Sequence, residues 1–304
     1  MRIILNGQQA FGKSVLEALL DRGEDVVGVY SAPDAGSRPD PLKEFAEEKA
    51  LPLFQPPSYK DPEVWDQMKA LEPDLCVMAF VTLFVPEEAL YLPTHGTIQY
   101  HPSLLPLHRG PSSINWPIIM GKTKTGLSIF WPDNGLDEGP ILMQKECEIG
   151  PDDTLGTIYF KNLYPMGVEA MVESVDLVRE GKAPKVDQDH SKKTYESWCK
   201  AADAEVDWSK PVQDVHNLIR GTDPAPGAWT MLGGAKLGLF DSTMADGPSR
   251  APGEVTQISE DGITIAAEGG QVRLARVRGE GGAKVPGAEF AAENDLAEGA
   301  VLGG

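Results

Sequence analysis

Two side chains that can transfer protons stand in glycine- and proline-rich segments of this 304-residue sequence. His101 lies in the stretch QYHPSLLP, where the following proline keeps its backbone out of the helical region. Asp137 lies in the stretch GLDEG, between Gly135 and Gly139, so its backbone is free to form an unusual turn. A carboxylate that reaches an imidazole fixes its tautomer and stabilises its protonated form. Such a pair can activate water or hold a proton for a developing oxyanion.

A second stretch, GQQAFGKS over residues 7–14, matches the letter pattern of a phosphate-binding loop between a first strand and a first helix. Nucleotide binding is the alternative that this match raises. Against it stand the bulky Phe11 directly before Gly12 and the lack of a clear strand ending in aspartate that could hold magnesium. Gln9 also occupies the place of the second glycine in a dinucleotide fingerprint. We therefore predict a structural turn here.

The elements that position these residues have the pattern of an α/β domain. The opening sequence predicts a strand, a glycine turn, an amphipathic helix and a second strand, which is a βαβ unit with a parallel sheet. Later apolar patterns predict helices at 41–49 and 62–71, strands at 52–54, 75–80, 97–100, 126–131 and 141–149, and a long helix at 152–179 with Asp153 or Thr154 as its N-cap. Together these elements predict an α/β domain with a parallel or mixed sheet. His101 then falls at the carboxyl end of a strand, where such sheets build their sites.

Beyond about residue 200 the sequence changes to short alternating runs separated by glycines, such as AKLGLFD, GITIAAE and QVRLARV. Closely spaced short strands with glycine turns predict a small β-barrel or sandwich. We therefore predict a catalytic domain over residues 1–200 and a β-barrel domain over residues 204–304.

Charge and cysteine usage limit the function classes. The net charge of −19 and the pI near 4.6 oppose binding to nucleic acid and to anionic membrane surfaces. The three cysteines are scattered without metal-ligand spacing, which predicts neither a zinc site nor disulfides. The N-terminal apolar run is too short for a signal peptide, and no 18 apolar residues run together. These features predict a cytoplasmic protein; they do not set an oligomeric state.

The segments HPSLLPLHRGPSSINW and GLDEGPILMQKE closely resemble the formyltransferase family that uses 10-formyltetrahydrofolate, and in particular the N-terminal hydrolase domain of 10-formyltetrahydrofolate dehydrogenase. The resemblance covers nearly the whole chain, from GQQAFG through SIFWPDNGLDEG and QKECEIGPDDT to VDWSKP, HNLIRG and PGAWT. It implies a Rossmann-like formyltransferase domain, with helices on both faces of a parallel or mixed sheet, followed by a small, OB-like β-barrel. It also implies 10-formyltetrahydrofolate as the formyl donor, with no metal.

The resemblance also assigns roles to residues at matching positions. His101 and Asp137 match the catalytic histidine and aspartate of the family. Leu83, Phe84 and Val85 match its folate pocket and would lie along the pterin, because a flat heterocycle needs an apolar slot lined by backbone. His108 and Arg109 are expected to be structural or to lie at the pocket rim.

Gln99 departs from the family pattern two residues before His101. The resemblance implies asparagine there in the transferases, where its amide stabilises the oxyanion, and an apolar residue in the hydrolase branch. Glutamine has the same amide on a chain one methylene longer, so it is a candidate catalytic residue. The alternative is that Gln99 merely alternates along a strand. Its identity leaves open whether water or an amine accepts the formyl group.

Hydrolysis of 10-formyltetrahydrofolate to formate and tetrahydrofolate is the first functional hypothesis. The sequence lacks the carrier and aldehyde dehydrogenase modules that follow this domain in the larger enzyme, which favours hydrolysis over the oxidative reaction. The alternative is formyl transfer to a small-molecule amine. A tRNA acceptor is disfavoured because residues 201–304 carry 8 Lys and Arg against 16 Asp and Glu. A folate-binding module without turnover is a third hypothesis, and it would need neither His101 nor Asp137.

Overall fold

The chain divides into two compact units in the computed structural model, which describes residues 1–34, 36 and 38–303. The first unit comprises Met1–Gly110, Gly126–Glu146 and Asn162–Tyr195, and the second comprises Pro111–Thr125, Cys147–Lys161 and the chain from Glu196 onward. Two internal segments therefore belong with the second unit. The single boundary near residue 200 stays a prediction.

One seven-stranded sheet runs through the first part of the chain. Its strands are β1 (Arg2–Gly7), β2 (Asp25–Tyr30), β3 (Leu53–Phe54), β4 (Leu75–Ala79), β5 (Thr97–His101), β6 (Lys124–Phe130) and β7 (Ile141–Glu148). Their order is β3-β2-β1-β4-β5-β6-β7. The pairs β1–β2, β1–β4, β2–β3 and β4–β5 are parallel, and β6 runs antiparallel to β5. The predicted Rossmann-like domain with a mixed sheet is confirmed.

The helices of the same stretch include the predicted ones and two short ones that were not predicted. They are α1 (Gln9–Asp21), α2 (Pro41–Glu48), α3 (Pro62–Ala70), α4 (Glu87–Leu90), α5 (Asn115–Ile119), α6 (Leu155–Ile158) and α7 (Tyr164–Arg179), of which α4 and α5 are the unpredicted ones. The predicted continuous helix over 152–179 is wrong in detail, because a π-helical turn at Tyr159–Leu163 separates α6 from α7. Pro165 has no N–H to continue the α-helical hydrogen bonds through this turn. Thr154 is the N-cap, in a reciprocal capping box with Thr157.

The close approach of β1 to β4 depends on Gly7. A Cβ atom on Gly7 would lie 2.5 Å from the carbonyl oxygen of Ala79, which only a shift of one strand could relieve. Gly12 lies inside α1, so the letters GKS belong to a helix. The Ser14 hydroxyl is 2.7 Å from the Tyr164 hydroxyl. Residues 7–14 therefore have the structural role predicted for them, without the loop that cradles a phosphate.

The second unit is built around an antiparallel sheet. Its strands are β8 (Ala228–Leu232), β9 (Ala235–Ala245), β10 (Val255–Ser259), β11 (Gly262–Ala267), β12 (Gly270–Gly279) and β13 (Val285–Pro286), with helices α8 (Val212–Thr222) and α9 (Gly287–Glu293). The strand order is β10-β11-β12-β9-β8, with β13 paired to β12. Trp208, Ile219 and Leu239 are among the side chains of its buried apolar cluster. The predicted second β domain is confirmed as this sheet.

A buried polar cluster fixes α8 within the second unit. The Nε2–H of His216 donates to the Pro151 carbonyl oxygen at 3.0 Å, and its Nδ1 lies 2.8 Å from the Ser242 hydroxyl. Because a carbonyl can only accept, the imidazole proton is on Nε2 and the Ser242 hydroxyl donates to Nδ1. Arg220 adds hydrogen bonds to the carbonyls of Gly150 and Asp153. Burial lowers the pKa of His216.

No helix among the described residues combines the length with the apolar composition needed to cross a bilayer. The cytoplasmic location stays a prediction.

Candidate active site

A cavity of about 280 Å³ opens in the first unit at the carboxyl ends of β4 and β5. One wall is the loop that follows β4, and the opposite wall is the loop after β6. Gln99 and Asp137 line the cavity, and so do all three residues predicted for the folate pocket, Leu83, Phe84 and Val85. The parallel topology brings these segments together, since the strands they follow end at the same edge of the sheet.

His101 is the last residue of β5 and is only 6% exposed. Its Nε2 lies 3.0 Å from the backbone oxygen of His108. That oxygen can only accept, so Nε2 carries a proton and donates it to this bond. Nδ1 is therefore the nitrogen that can take up or release a proton, and it points toward Asp137.

Asp137 is buried at the start of the turn that returns the chain to β7. Its Oδ2 accepts a hydrogen bond of 2.9 Å from the Gly110 N–H and lies 3.7 Å from His101 Nδ1. Its φ of +54° is in the left-handed region, which aspartate tolerates better than most residues. The structure thus brings the two residues of the predicted catalytic pair within 4 Å, although a direct hydrogen bond would be shorter.

His101 Nδ1 and Asp137 Oδ2, which are 3.7 Å apart, need one proton between them. With Nε2 protonated, an unprotonated Nδ1 and an ionised Asp137 carboxylate would place two acceptors face to face. A proton on either group, or a water molecule that donates to both, removes this conflict. The pair can therefore accept a proton from a bound water and later return it.

Gln99 lies two residues before His101 on β5, so the two side chains leave the same face of the sheet. On its two sides Gln99 pairs with Met78 of β4 and Phe130 of β6. Its side chain is partly exposed and lines the cavity. An amide at this place can donate to an oxygen atom of a bound ligand. Its catalytic role stays a prediction.

The loop of the three predicted folate residues is largely apolar but differs along its length. Val85 is buried, whereas Phe84 is 55% exposed at the mouth of the cavity. The Lys60 ammonium lies 5.5 Å from the centroid of the Phe84 ring. The pKa of Tyr91 is raised mainly by burial and further by the negative charges of Glu87 and Asp133. The mouth therefore combines apolar surface with charges of both signs.

Arg109 and His108 have structural contacts, as the sequence predicts for this pair. Arg109 is 2% exposed, and its Nη1 donates to Glu138 Oε1 at 2.7 Å. The His108 backbone supplies the carbonyl that binds His101, and its N–H donates to Thr194 Oγ1 at 2.8 Å.

Gln188 is a residue of this site that the sequence does not reveal. Its side chain is 6% exposed, and its Nε2 donates to the carbonyls of Asp137 and Gly139 at 2.9 and 2.7 Å. Its Oε1 accepts from Arg109 Nη2 at 2.6 Å. Gln188 lies in a polar segment for which the sequence predicts no helix or strand, and nothing in that segment indicates a role in the site.

Other reactive groups do not extend the site. Burial raises the pKa of the Cys76 thiol to about 12, so Cys76 is a small apolar core residue rather than a nucleophile. Within residues 1–34, 36 and 38–303, no three His, Cys, Asp or Glu side chains cluster as metal ligands would. The absence of a metal from the reaction stays a prediction.

The fold and the site define a class of enzyme with an α/β domain, a His–Asp pair at the strand ends and a second antiparallel domain. Two family profiles cover the chain: the one described as formyl transferase matches residues 1–175, and the one described as formyl transferase C-terminal domain matches residues 199–295. The chain belongs to the formyl transferase family, whose members use formyltetrahydrofolate. The resemblance noted in the sequence is confirmed at this level.

Named relatives fall into two groups. The chain is 40% identical over 305 residues to cytosolic 10-formyltetrahydrofolate dehydrogenase of Xenopus tropicalis, covering 95% of this chain and 34% of that protein. It is 36% identical over 307 residues to methionyl-tRNA formyltransferase of Trichlorobacter lovleyi, covering 99% of this chain and 96% of that protein. The chain thus spans about a third of the length of the dehydrogenase relatives it matches.

Solved structures share the fold at low sequence identity. HypX from Aquifex aeolicus in complex with tetrahydrofolic acid has a TM-score of 0.71 and 19% identity, over 96% of this chain and 47% of that one. The N-formyltransferase from Helicobacter canadensis, in complex with folinic acid and dTDP-3-aminofucose, has a TM-score of 0.72 and 16% identity, over 90% of this chain and 98% of that one.

Proposed function

We propose that this protein hydrolyses 10-formyltetrahydrofolate to formate and tetrahydrofolate. The observation that carries the proposal is the pairing of His101 Nδ1 with Asp137 Oδ2 at 3.7 Å beside the cavity that Leu83, Phe84 and Val85 line. The 40% identity to a 10-formyltetrahydrofolate dehydrogenase across 95% of the chain supports the same substrate.

In the proposed reaction a water molecule held between His101 and Asp137 attacks the formyl carbon. Its oxygen forms the new C–O bond, and one of its protons passes to the His101–Asp137 pair. The negative charge that develops on the formyl oxygen is stabilised by a donor such as the Gln99 amide. The tetrahedral intermediate then collapses, the bond between carbon and N10 breaks, and the stored proton moves to N10. Formate and tetrahydrofolate leave.

Formyl transfer to a small-molecule amine is the second candidate. It is favoured by the match to a methionyl-tRNA formyltransferase over nearly the full length of both chains. In that reaction the amine replaces water as the nucleophile, and the same pair accepts its proton. A tRNA acceptor is disfavoured by the excess of carboxylates over residues 201–304, because a tRNA-binding domain needs a basic surface.

The test is to incubate the purified protein with 10-formyltetrahydrofolate alone and to follow formate and tetrahydrofolate. The proposal expects the two products in equal amounts, and no turnover by His101→Ala although the variant still binds folinic acid. Tight folate binding without formate would reject hydrolysis, and screening of amines would then examine the second candidate.

A further inference from the structure

We infer that Gln188 is a positioning residue that holds Asp137 against His101, an inference that rests on the proposed function. Gln188 lies after α7, far along the sequence from both residues of the catalytic pair. Its amide nevertheless binds both the Asp137 carbonyl and Arg109, and so adds a connection between the two segments to their direct hydrogen bonds.

The orientation of the Gln188 amide is fixed by its partners. The carbonyls of Asp137 and Gly139 can only accept, so each takes one of the two protons on Nε2. The guanidinium of Arg109 can only donate, so it faces Oε1. Both Nε2 protons and Oε1 are thereby used, and no other side chain of this size offers two donors and one acceptor in this arrangement.

The same contacts close a ring around Asp137. The Gly110 N–H donates to the Asp137 carboxylate, and Arg109 pairs with Glu138, the next residue. Gln188 completes the ring by binding Arg109 on one side and the Asp137 carbonyl on the other. The carboxylate and the backbone of Asp137 are thus tied to one frame.

The backbone of the loop needs such support. Asp137 is held at a φ of +54°. This conformation costs free energy and persists only where surrounding contacts maintain it. A Cβ atom on Gly139 would lie 1.8 Å from the carbonyl oxygen of Trp131, so the turn passes directly against the backbone that follows β6. Burial of the Arg109 guanidinium is a further cost, because its Nε finds no acceptor among the described residues. These costs are consistent with a frame whose function is to position a side chain.

Gln188→Glu isolates this role. The introduced carboxylate still accepts from Arg109, but its second oxygen faces two carbonyls and repels them. We expect kcat for formate release to fall about 100-fold near neutral pH, the effect of displacing a catalytic group by about 1 Å. The dissociation constant for folinic acid should change less than about twofold, since Gln188 does not line the cavity. At lower pH a protonated carboxyl group donates to one carbonyl again, so the ratio of wild-type to variant kcat should shrink.

Gln55→Glu is the matched control. Gln55 also donates its amide to one backbone carbonyl of the first unit, that of Ala32 at 2.9 Å, away from Asp137. This variant should weaken that hydrogen bond and leave kcat unchanged. If Gln188→Glu does not fold, Gln188→Met removes all three hydrogen bonds of Gln188, including the one from Arg109, without adding charge, and should lower kcat in the same direction.

A second measurement separates this inference from the proposed function. The nitrogen-15 shift of His101 Nδ1 reports the surroundings of that atom, which faces Asp137. It should change in Gln188→Glu, which displaces Asp137, but not in Gln55→Glu. If the wild-type protein releases no formate, the proposed hydrolysis is rejected. The role of Gln188 is then tested by the nitrogen-15 shifts of His101 alone. Unchanged His101 shifts, or a Gln188→Glu variant with wild-type kcat at every pH, would overturn the role of Gln188.

Discussion

At the scale of single residues, the site is defined by where backbone carbonyls and amides are. The His108 carbonyl selects the tautomer of His101, and the Gly110 N–H orients Asp137. His101 and Asp137 could be predicted from sequence because the segments around them resemble the motifs of a known family, while the proline and the two glycines beside them mark only unusual backbone. Gln188 could not, because its partners are backbone atoms that leave no trace in the residue types nearby.

Gln99 provides a prediction at this scale. If its amide donates to the developing oxyanion, Gln99→Leu should lower kcat about 100-fold with little change in KM, because the donor acts mainly in the transition state. Steady-state kinetics of formate release measure this. Gln99→Asn retains a shorter amide and should lose less activity. Wild-type kcat in the leucine variant would instead make Gln99 an ordinary strand residue.

At the scale of elements, buried parallel strands were predictable and helix α8 of the second unit was not. The strands β1 and β4 are nearly continuous apolar runs, which is the pattern of strands buried on both faces. Helix α8 lies in a part of the sequence whose short glycine-separated runs predict β structure, so Val215 and Ile219 at helical spacing did not identify it. The π turn before α7 was missed since it depends on local hydrogen bonding around a proline.

The two glycines of the GQQAFG stretch should respond differently to alanine. Gly7→Ala places a methyl group against the Ala79 backbone and should lower the free energy of unfolding by about 1–3 kcal/mol. Gly12→Ala meets a movable Leu42 methyl at 3.2 Å inside a helix, where alanine is favoured by about 1 kcal/mol, so it should be close to neutral. Urea denaturation compares the two. Equal losses would contradict the packing argument.

The buried His216 should make stability depend on pH. Because burial lowers its pKa in the folded state, the unfolded state binds more protons as the pH falls below about 6.5. Stability is then present above that pH and decreases on acidification. His216→Gln removes the titrating group, so the fall in melting temperature between about pH 7 and pH 5 should be smaller than in wild type. A parallel decline in both proteins would be evidence against this assignment.

At the scale of the whole molecule, the net charge of −19 limits the acceptor more than any single residue does. Both the tRNA-dependent relative and the dehydrogenase relative align along almost the entire chain, so the alignments do not separate the two activities. The net charge bears on a tRNA acceptor, because binding to RNA depends on Lys and Arg contacts with phosphates. The prediction that this protein does not bind nucleic acid therefore follows from its amino-acid composition.

Binding to tRNA should be absent at physiological salt. A fluorescence anisotropy titration of labelled tRNA up to about 10 μM protein should give no saturable signal, because specific complexes form at far lower concentrations. A basic RNA-binding domain serves as the positive control. Saturable, salt-dependent binding would contradict the conclusion that the acidic chain does not bind tRNA, and would favour formyl transfer to an aminoacyl-tRNA.

The most direct test of hydrolysis at His101 and Asp137 follows the oxygen of the attacking water. Wild-type protein is given 10-formyltetrahydrofolate in oxygen-18 water, with Asp137→Asn in parallel, and the formate is analysed by mass spectrometry. The proposed function predicts formate carrying one oxygen-18 atom from wild type and almost none from the variant. Consumption of 10-formyltetrahydrofolate only after an amine is added, with no labelled formate, would contradict it.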